Sequence, residues 1–268
     1  MNIRTAFYAL AATLFVSCNP FKPFTFVQMS DTQIGFMDDT PHYQHTDSLV
    51  KAAVDAINLL NPALVINTGD ILDQARSTVQ DSIYRARMAE LVPPLWVVPG
   101  NHDIMGYDSE KHDFYVSLRG YDRFSFKKNG CAFIGIDSNC IWDHAEEAEI
   151  DQKEWLEKEL EAAKDSKYIF VFLHCPIIRE DYWEKEDYFN FPQDRREEYL
   201  TLFKKAGVSA IFSGHCHMDY ASEWEGIKLY VAGPVAAPIG RGKSGYNVVK
   251  VGKKGFEVTY TPTPGIKQ

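Results

Sequence analysis

The segment Gly214-His215-Cys216-His217 brings two histidines within three residues, and four segments upstream carry related side chains. These are Asp31-Thr32-Gln33, Gly69-Asp70, Gly100-Asn101-His102-Asp103 and His174. Carboxylate, amide and imidazole donors together suit borderline divalent cations such as Mn, Fe or Zn better than the all-oxygen cage that calcium prefers. Two such cations about 3.5–4 Å apart can clamp a phosphoryl group and activate a water against it. The chemistry these residue types suit is therefore metal-assisted hydrolysis of a phosphate ester.

Such a centre needs elements that bring five distant segments together. Each segment follows a short apolar run: Phe24–Met29, Ala63–Ile66, Leu95–Val98, Tyr168–Leu173 and Ser209–Phe212. Runs of that length, rich in Val, Ile and Phe, read as buried strands. In open α/β sheets polar chemistry collects beyond the carboxyl ends of the strands. Between them, helical spacing appears over Asp47–Leu60, with Asp47 expected as its cap, and over Val79–Leu91, Glu149–Ala163 and Arg195–Ala206, the last closed by Gly207. After His217 the pattern turns to strands at Tyr220–Trp224, Ile227–Val231, Tyr246–Val251 and Phe256–Tyr260, with Lys253-Lys254-Gly255 as a hairpin turn. Strand–helix alternation followed by antiparallel strands predicts an α/β protein, a four-layer α/β/β/α sandwich of two mixed sheets flanked by helices.

Length and charge narrow the function class. A chain of 268 residues, 45% hydrophobic and 24% charged, can bury one sizeable core, and no linker or repeat divides it. The formal net charge of −9 argues against a nucleic-acid partner, which requires a basic surface. A small phosphorylated substrate stays compatible, because bound metals supply a local positive field.

Residues 1–17 read as a secretory signal of lipoprotein type. Arg4 precedes the run Ala6–Val16, which is too short to span a membrane, and Phe15-Val16-Ser17-Cys18 resembles a bacterial lipoprotein cleavage site. Cys18 would then carry the lipid, residues 18–23 would form a short tether, and residues 24–268 the folded domain. That places the protein in a bacterial cell envelope, anchored to a membrane. The alternative is an ordinary signal peptide with an incidental cysteine. Of the remaining cysteines, Cys131 and Cys140 are left open as a pair, while Cys175 and Cys216 read as small buried residues beside histidines. On extended backbone His215 and His217 would share a side and Cys216 would point away.

The series of motifs resembles the calcineurin-like metallophosphoesterases from Phe24 onward. Asp187-Tyr188-Phe189-Asn190-Phe191-Pro192, Arg195-Arg196, Leu202-Phe203-Lys204-Lys205 and Ser213-Gly214-His215, with Gln33, are similar to a Ser/Thr protein phosphatase branch of that family, the calcineurin-like phosphoesterase domain-containing proteins. The resemblance implies a dinuclear centre in which Asp70 bridges the metals. Asp31 and His217 would complete one site, with Gln33 as a weak further ligand or a hydrogen-bond partner of bound water. Asn101, His174 and His215 would complete the other with Asp70. His102 would face the substrate, stabilising transition-state charge and giving a proton to the leaving group. Asp73, three residues after Asp70, would orient His102 or else be a loop residue.

The segment Ile177–Pro192, rich in aromatic and acidic residues, is expected to wall the pocket, with Tyr188 and Asn190 as substrate contacts or as an aromatic packing patch. Arg241, in Gly240-Arg241-Gly242-Lys243, is a third candidate contact, on a basic loop or a plain turn. His42, His45, His112 and His144 read as surface residues. The expectation is a phosphomonoesterase acting on a protein or a small molecule. A phosphodiesterase for cyclic nucleotides or lipid-derived diesters is the first alternative. A lipid-anchored binding protein, non-catalytic, is the second, opposed by the Asn101-His102 pair. The oligomeric state is left open.

Overall fold

The computed structural model describes residues 21–104, 106–107, 109–236 and 238–265. The expected signal of residues 1–17 and the lipidation candidate Cys18 lie outside the described residues.

Two mixed sheets form the body. The first has strands β1 (Phe24–Met29), β2 (Val65–Asn67), β3 (Leu95–Val97), β10 (Gly245–Val251) and β11 (Phe256–Pro262), in the order β11-β10-β1-β2-β3. The second has β4 (Phe124–Lys128), β5 (Cys131–Gly135), β6 (Ile169–Phe172), β7 (Ala210–Ser213), β8 (Tyr220–Trp224) and β9 (Ile227–Val231), in the order β4-β5-β6-β7-β9-β8. β1, β2 and β3 are parallel, as are β5, β6 and β7. This parallel core makes every strand that precedes a motif end at one pole. β9 departs from the antiparallel expectation, since it runs parallel to β7 while pairing antiparallel with β8.

Three apolar clusters account for four layers. Val50, Val54 and Ile57 of α1 (Gln44–Leu60), with Tyr84 of α2 (Thr78–Ala89), pack on the outer face of the first sheet. Leu156 and Leu160 of α6 (Glu146–Ala163), with Tyr199 and Phe203 of α7 (Gln193–Ala206), cover the second. Between the sheets lie Phe26, Phe133, Phe170, Phe172 and Phe212. Phe26 meets Phe133 edge-on at 5.3 Å and Phe170 at 5.4 Å between centroids. Truncating one such ring typically costs about 3–5 kcal/mol, so this aromatic layer fixes the spacing of the sheets.

Several boundaries differ from the reading of the sequence. α1 begins at Gln44, so Asp47 lies inside the first turn rather than at the cap; its carboxylate instead takes Arg87 at 2.6 and 2.8 Å. Ser77 caps α2 by accepting from the Gln80 N–H. Gly207 closes α7 at φ 76°. The β4–β5 hairpin was missed, although Asn129-Gly130 stands at its turn with both residues at positive φ, the signature of a tight hairpin. Three further helices, α3 (Asn101–Ile104), α4 (Ser109–Arg119) and α5 (Asn139–Trp142), were also absent from that reading. His112 sits on α4 rather than on an exposed loop, half-buried, with Nε2 3.0 Å from Asp122. All four described cysteines are free and buried, so Cys131 and Cys140 are not paired.

Candidate metal centre

Five strand ends converge on one spot. Asp31 follows β1, Asp70 follows β2, Asn101 follows β3, His174 follows β6 and His215 with His217 follow β7. Donor atoms of Asp70, His174 and His215 lie within 4.8 Å of one another, and so do those of Asp31, Asp70 and His217. Asp70 belongs to both groups, so the two clusters adjoin through one carboxylate, and all five residues are buried.

The backbone is bent to achieve this. Asp31, Gln33, Asp70, His215 and His217 all adopt positive φ, between 28 and 70°. Such conformations cost L-residues of the order of 1–3 kcal/mol each unless the surroundings enforce them, and Asp and His bear them better than most. The enforcement is a lattice of short backbone bonds. The Gln33 N–H donates to Asp70 O at 2.9 Å, the His102 N–H to Asp70 Oδ1 at 2.8 Å, and the His215 N–H to Asp31 Oδ2 at 3.1 Å. Two glycines permit that closeness. A methyl group on Gly100 would strike the backbone and carboxylate of Asp70, and one on Gly214 would strike Ser30 and Asp31. The same curvature corrects the extended-backbone argument for the histidine pair. His215 and His217 do reach one site, but through left-handed turns, and the Cys216 thiol lies 3.7 Å from the Phe189 carbonyl, outside both donor clusters.

The imidazoles are oriented from behind. His174 Nδ1 is 2.8 Å from the Thr68 carbonyl, which leaves Nε2 3.3 Å from Asp70 Oδ2 and 3.0 Å from Asn101 Oδ1. His215 Nε2 is bonded to the Tyr188 carbonyl at 2.8 Å, so Nδ1 is its available donor. Backbone carbonyls behind metal-binding imidazoles fix ring and tautomer in this manner. Burial first, and the neighbouring His174 second, depress His215 to about 3, so it is neutral and has a lone pair to give. Burial opposes charge on His174, yet Asp70 outweighs it and raises that ring to about 9. Burial also raises Asp31, against the pull of His217.

These features match a cationic guest. Asp31 Oδ1 and both amide atoms of Gln33 are buried without a hydrogen-bond partner, and His217 Nε2 stands 3.5 Å from Asp31 Oδ1. Buried polar atoms are ordinarily satisfied, so an orphaned carboxylate oxygen beside an orphaned amide fits a bound cation.

His102 stands beside this group and is a quarter exposed. Its Nδ1 lies 2.9 Å from the Asp73 carbonyl and 3.5 Å from the Asp73 carboxylate, so the main chain of Asp73 holds the ring more closely than its side chain does. Phe36 packs edge-on against His102 at 5.6 Å and also covers His217 at 5.2 Å. Tyr188 leans over His215 at 4.9 Å, and its hydroxyl accepts from Asn101 Nδ2 at 3.1 Å. Neither Phe36 nor Trp142, which meets both Tyr188 and His215, was singled out in the sequence. Asn190 is not at the opening. It is buried, donating to Glu184 and the Lys185 carbonyl and accepting from the Asp187 N–H, so its amide is spent on shaping the loop. Arg241 is exposed, on a loop whose Gly242 packs against the His217 carbonyl. Asp103, given no role from sequence, accepts from the N–H groups of Ile71 and Gly100 and ties the loops after β2 and β3 together. The exposed His42, His45 and His144 have no place in either donor cluster.

The calcineurin-like phosphoesterase family profile matches residues 24–219, a span that contains every strand-end residue above. The chain belongs to the calcineurin-like phosphoesterase family. It is 28% identical over 251 residues to the serine/threonine-protein phosphatase CPPED1 of Rattus norvegicus, covering 85% of this chain and 80% of the relative. A protein of Arcobacter nitrofigilis named as a probable glycerophosphodiester phosphodiesterase, GpdQ, is 28% identical over 77% of this chain and 76% of its own length. Among solved structures, a purple acid phosphatase from yellow lupin superposes with TM-score 0.71 at 16% identity over 92% of this chain and 52% of its own. A dimetal phosphatase from Danio rerio does so with TM-score 0.64 at 15% identity over 90% of this chain and all of its own. The fold is that of metallophosphoesterases, and the protein is a metal-dependent hydrolase of phosphoric esters.

The tight approach of the loops gives a direct test. Gly214→Ala should push the loop after β7 off Asp31, costing about 1–3 kcal/mol of stability and lowering the metal retained after gel filtration. A variant that keeps both its melting temperature and its metal content would contradict the packing described here.

Proposed function

We propose that the chain is a phosphomonoesterase whose site holds two divalent cations, of Mn, Fe or Zn type, sharing Asp70. The observation that carries this reading is the pair of donor clusters meeting at that carboxylate. Asp31, Asp70 and His217 would hold one cation, with Gln33 close by; Asp70, Asn101, His174 and His215 would hold the other. Cations bound in this way neutralise phosphoryl oxygens and make water a competent nucleophile near neutral pH. The protein's own groups do the rest. His102 sits at the edge of the clusters, where it delivers a proton to the departing oxygen, and Asp73 keeps its Nδ1 occupied through the carbonyl. Tyr188 holds the Asn101 amide by its nitrogen, which turns the amide oxygen inward. Tyr188 and Arg241 are the candidates for substrate contact at the opening.

The test is turnover of p-nitrophenyl phosphate against bis-p-nitrophenyl phosphate by the full chain, stripped and reloaded with Mn²⁺. The monoester should be preferred. His102→Asn should keep its metal content and lose about 10²–10⁴ in turnover; unchanged turnover would remove His102 from the mechanism. The likeness to the Arcobacter protein favours a second reading, a phosphodiesterase, which faster cleavage of the diester would establish. Metal uptake without turnover of either substrate would instead support a binding protein.

We also propose that the protein is a lipoprotein of a bacterial cell envelope, lipid-anchored through Cys18. The support is the sequence alone: the apolar run Ala6–Val16 followed by Ser17-Cys18. Cys18→Ser should move the protein from the membrane pellet to the soluble fraction under high salt, which screens electrostatic adsorption, and unchanged retention in high salt would sink the assignment.

A further inference from the structure

The pole opposite the metal centre reverses the charge balance of the chain. β1 begins at Phe24 and ends just before Asp31. Six residues of strand span about 20 Å, so the described body begins at the far end from the chemistry. Four segments meet there: residues 21–24, the turn Asn129-Gly130, the approach to β6 at residues 165–168, and the turn Gly252–Gly255. The Lys167 N–H donates to the Gly130 carbonyl at 2.7 Å, and its ammonium lies 5.3 Å over the Phe21 ring. The Tyr168 hydroxyl donates to the Gly252 carbonyl at 3.4 Å.

Around these segments Lys22, Lys167, Lys250, Lys253 and Lys254 are exposed and Lys128 is half-buried, against two exposed carboxylates there, Asp165 and Glu257. This excess of cations stands in a chain of net charge −9. An open groove of about 540 Å³ runs along the same pole, lined in part by Pro23, Phe24, Val251 and Phe256, with Lys250 and Glu257 beside them. Lys185 is exposed on the loop over the metal centre, Lys158 on α6, and Arg241 and Lys243 on the loop that packs against His217, but acids outnumber bases on the first loop and along α6. Glu180, Asp181, Glu186 and Asp187 stand exposed on the loop over the metal centre, and Glu146, Glu147, Asp151, Glu154 and Glu157 along α6.

We propose that this pole docks on an anionic phospholipid surface, with the metal centre turned toward the aqueous side. Three observations select that occupant. The lysines complement anionic headgroups, the groove offers apolar and aromatic walls, and the lipidation candidate Cys18 lies three residues before Phe21. The acidic loops repel the same surface, so a bilayer meets this pole and not the centre. The substrate then arrives from solution rather than from the supporting bilayer. That last step rests on the phosphoesterase site described above; the docking itself does not.

Co-sedimentation of residues 19–268, which carry neither the signal run nor the lipidation candidate, with vesicles tests the docking without any enzymatic readout. Partition onto phosphatidylcholine vesicles containing phosphatidylglycerol should exceed that onto phosphatidylcholine alone, and salt should erase the difference. A basic residue near an anionic bilayer contributes about fivefold in partition, so K250E/K253E/K254E should lose at least tenfold. Lys158→Glu, on α6, should change partition less than twofold. Equal partition onto both vesicles, no loss on charge reversal, or equally tight binding to duplex DNA would overturn the proposal. For orientation, vesicle-bound protein should hydrolyse soluble p-nitrophenyl phosphate at the rate of the free protein and leave phosphatidic acid in the same vesicle intact. Hydrolysis of that phosphatidic acid would overturn the orientation. Failure to hydrolyse the soluble ester at all would count against the phosphomonoesterase reading while the sedimentation result stands.

Discussion

Two buried carboxylates, Asp31 and Asp70, face each other across the ends of neighbouring parallel strands, and the local structure follows from that constraint. Desolvating a carboxylate costs several kcal/mol even after relaxation, and placing two together adds mutual repulsion. The chain meets the cost with backbone N–H groups from His102 and His215, and with imidazoles from His174 and His217. These compensations come from both sheets. Asp31 and Asp70 follow strands of the first sheet, while His174, His215 and His217 follow strands of the second. The centre is therefore also a clasp between sheets, and its geometry is only as good as their alignment. Gln28 of β1 adds a neutral tie, donating to Thr68 and to the Ser213 carbonyl across the gap while accepting from Asn247.

The rest of the architecture serves that alignment. The aromatic layer of Phe26, Phe133, Phe170, Phe172 and Phe212 sets the distance between the sheets. Positive φ at five candidate ligands is strain that the layer and the backbone lattice together hold in place. Asp103 belongs to the same logic. Burial first and the charge of Asp70 second raise its carboxyl to about 6, yet it grips the Gly100 and Ile71 N–H groups and keeps two ligand-bearing loops in contact.

The sequence displayed the strands and their chemistry together, because a buried parallel strand is an unbroken apolar run and its polar terminus is abrupt. Phe24–Met29 was legible to the residue, and the other motif-bearing strands to within two. Side-chain direction was not legible. Asn190 has the composition of a pocket residue but faces inward, because Glu184 and Asp187 of its own loop use up its amide. An extended chain would also bring His215 and His217 to one side, but left-handed turns at both residues are what achieve it. Periodicity carries no information about such turns. The parallel pairing of β9 with β7 was equally hidden, since a strand's direction depends on the path of its connection and not on its residues. Asn129-Gly130, by contrast, is a hairpin signal that the sequence does carry.

In the proposed site one carboxylate, Asp70, serves two cations. Anomalous diffraction from crystals grown with Mn²⁺ measures that directly. Two anomalous peaks per chain are expected, one against Asp31, Asp70 and His217 and the other against Asp70, His174 and His215, with Asp70 touching both. A single peak at full occupancy, or two peaks of which only one touches Asp70, would contradict it.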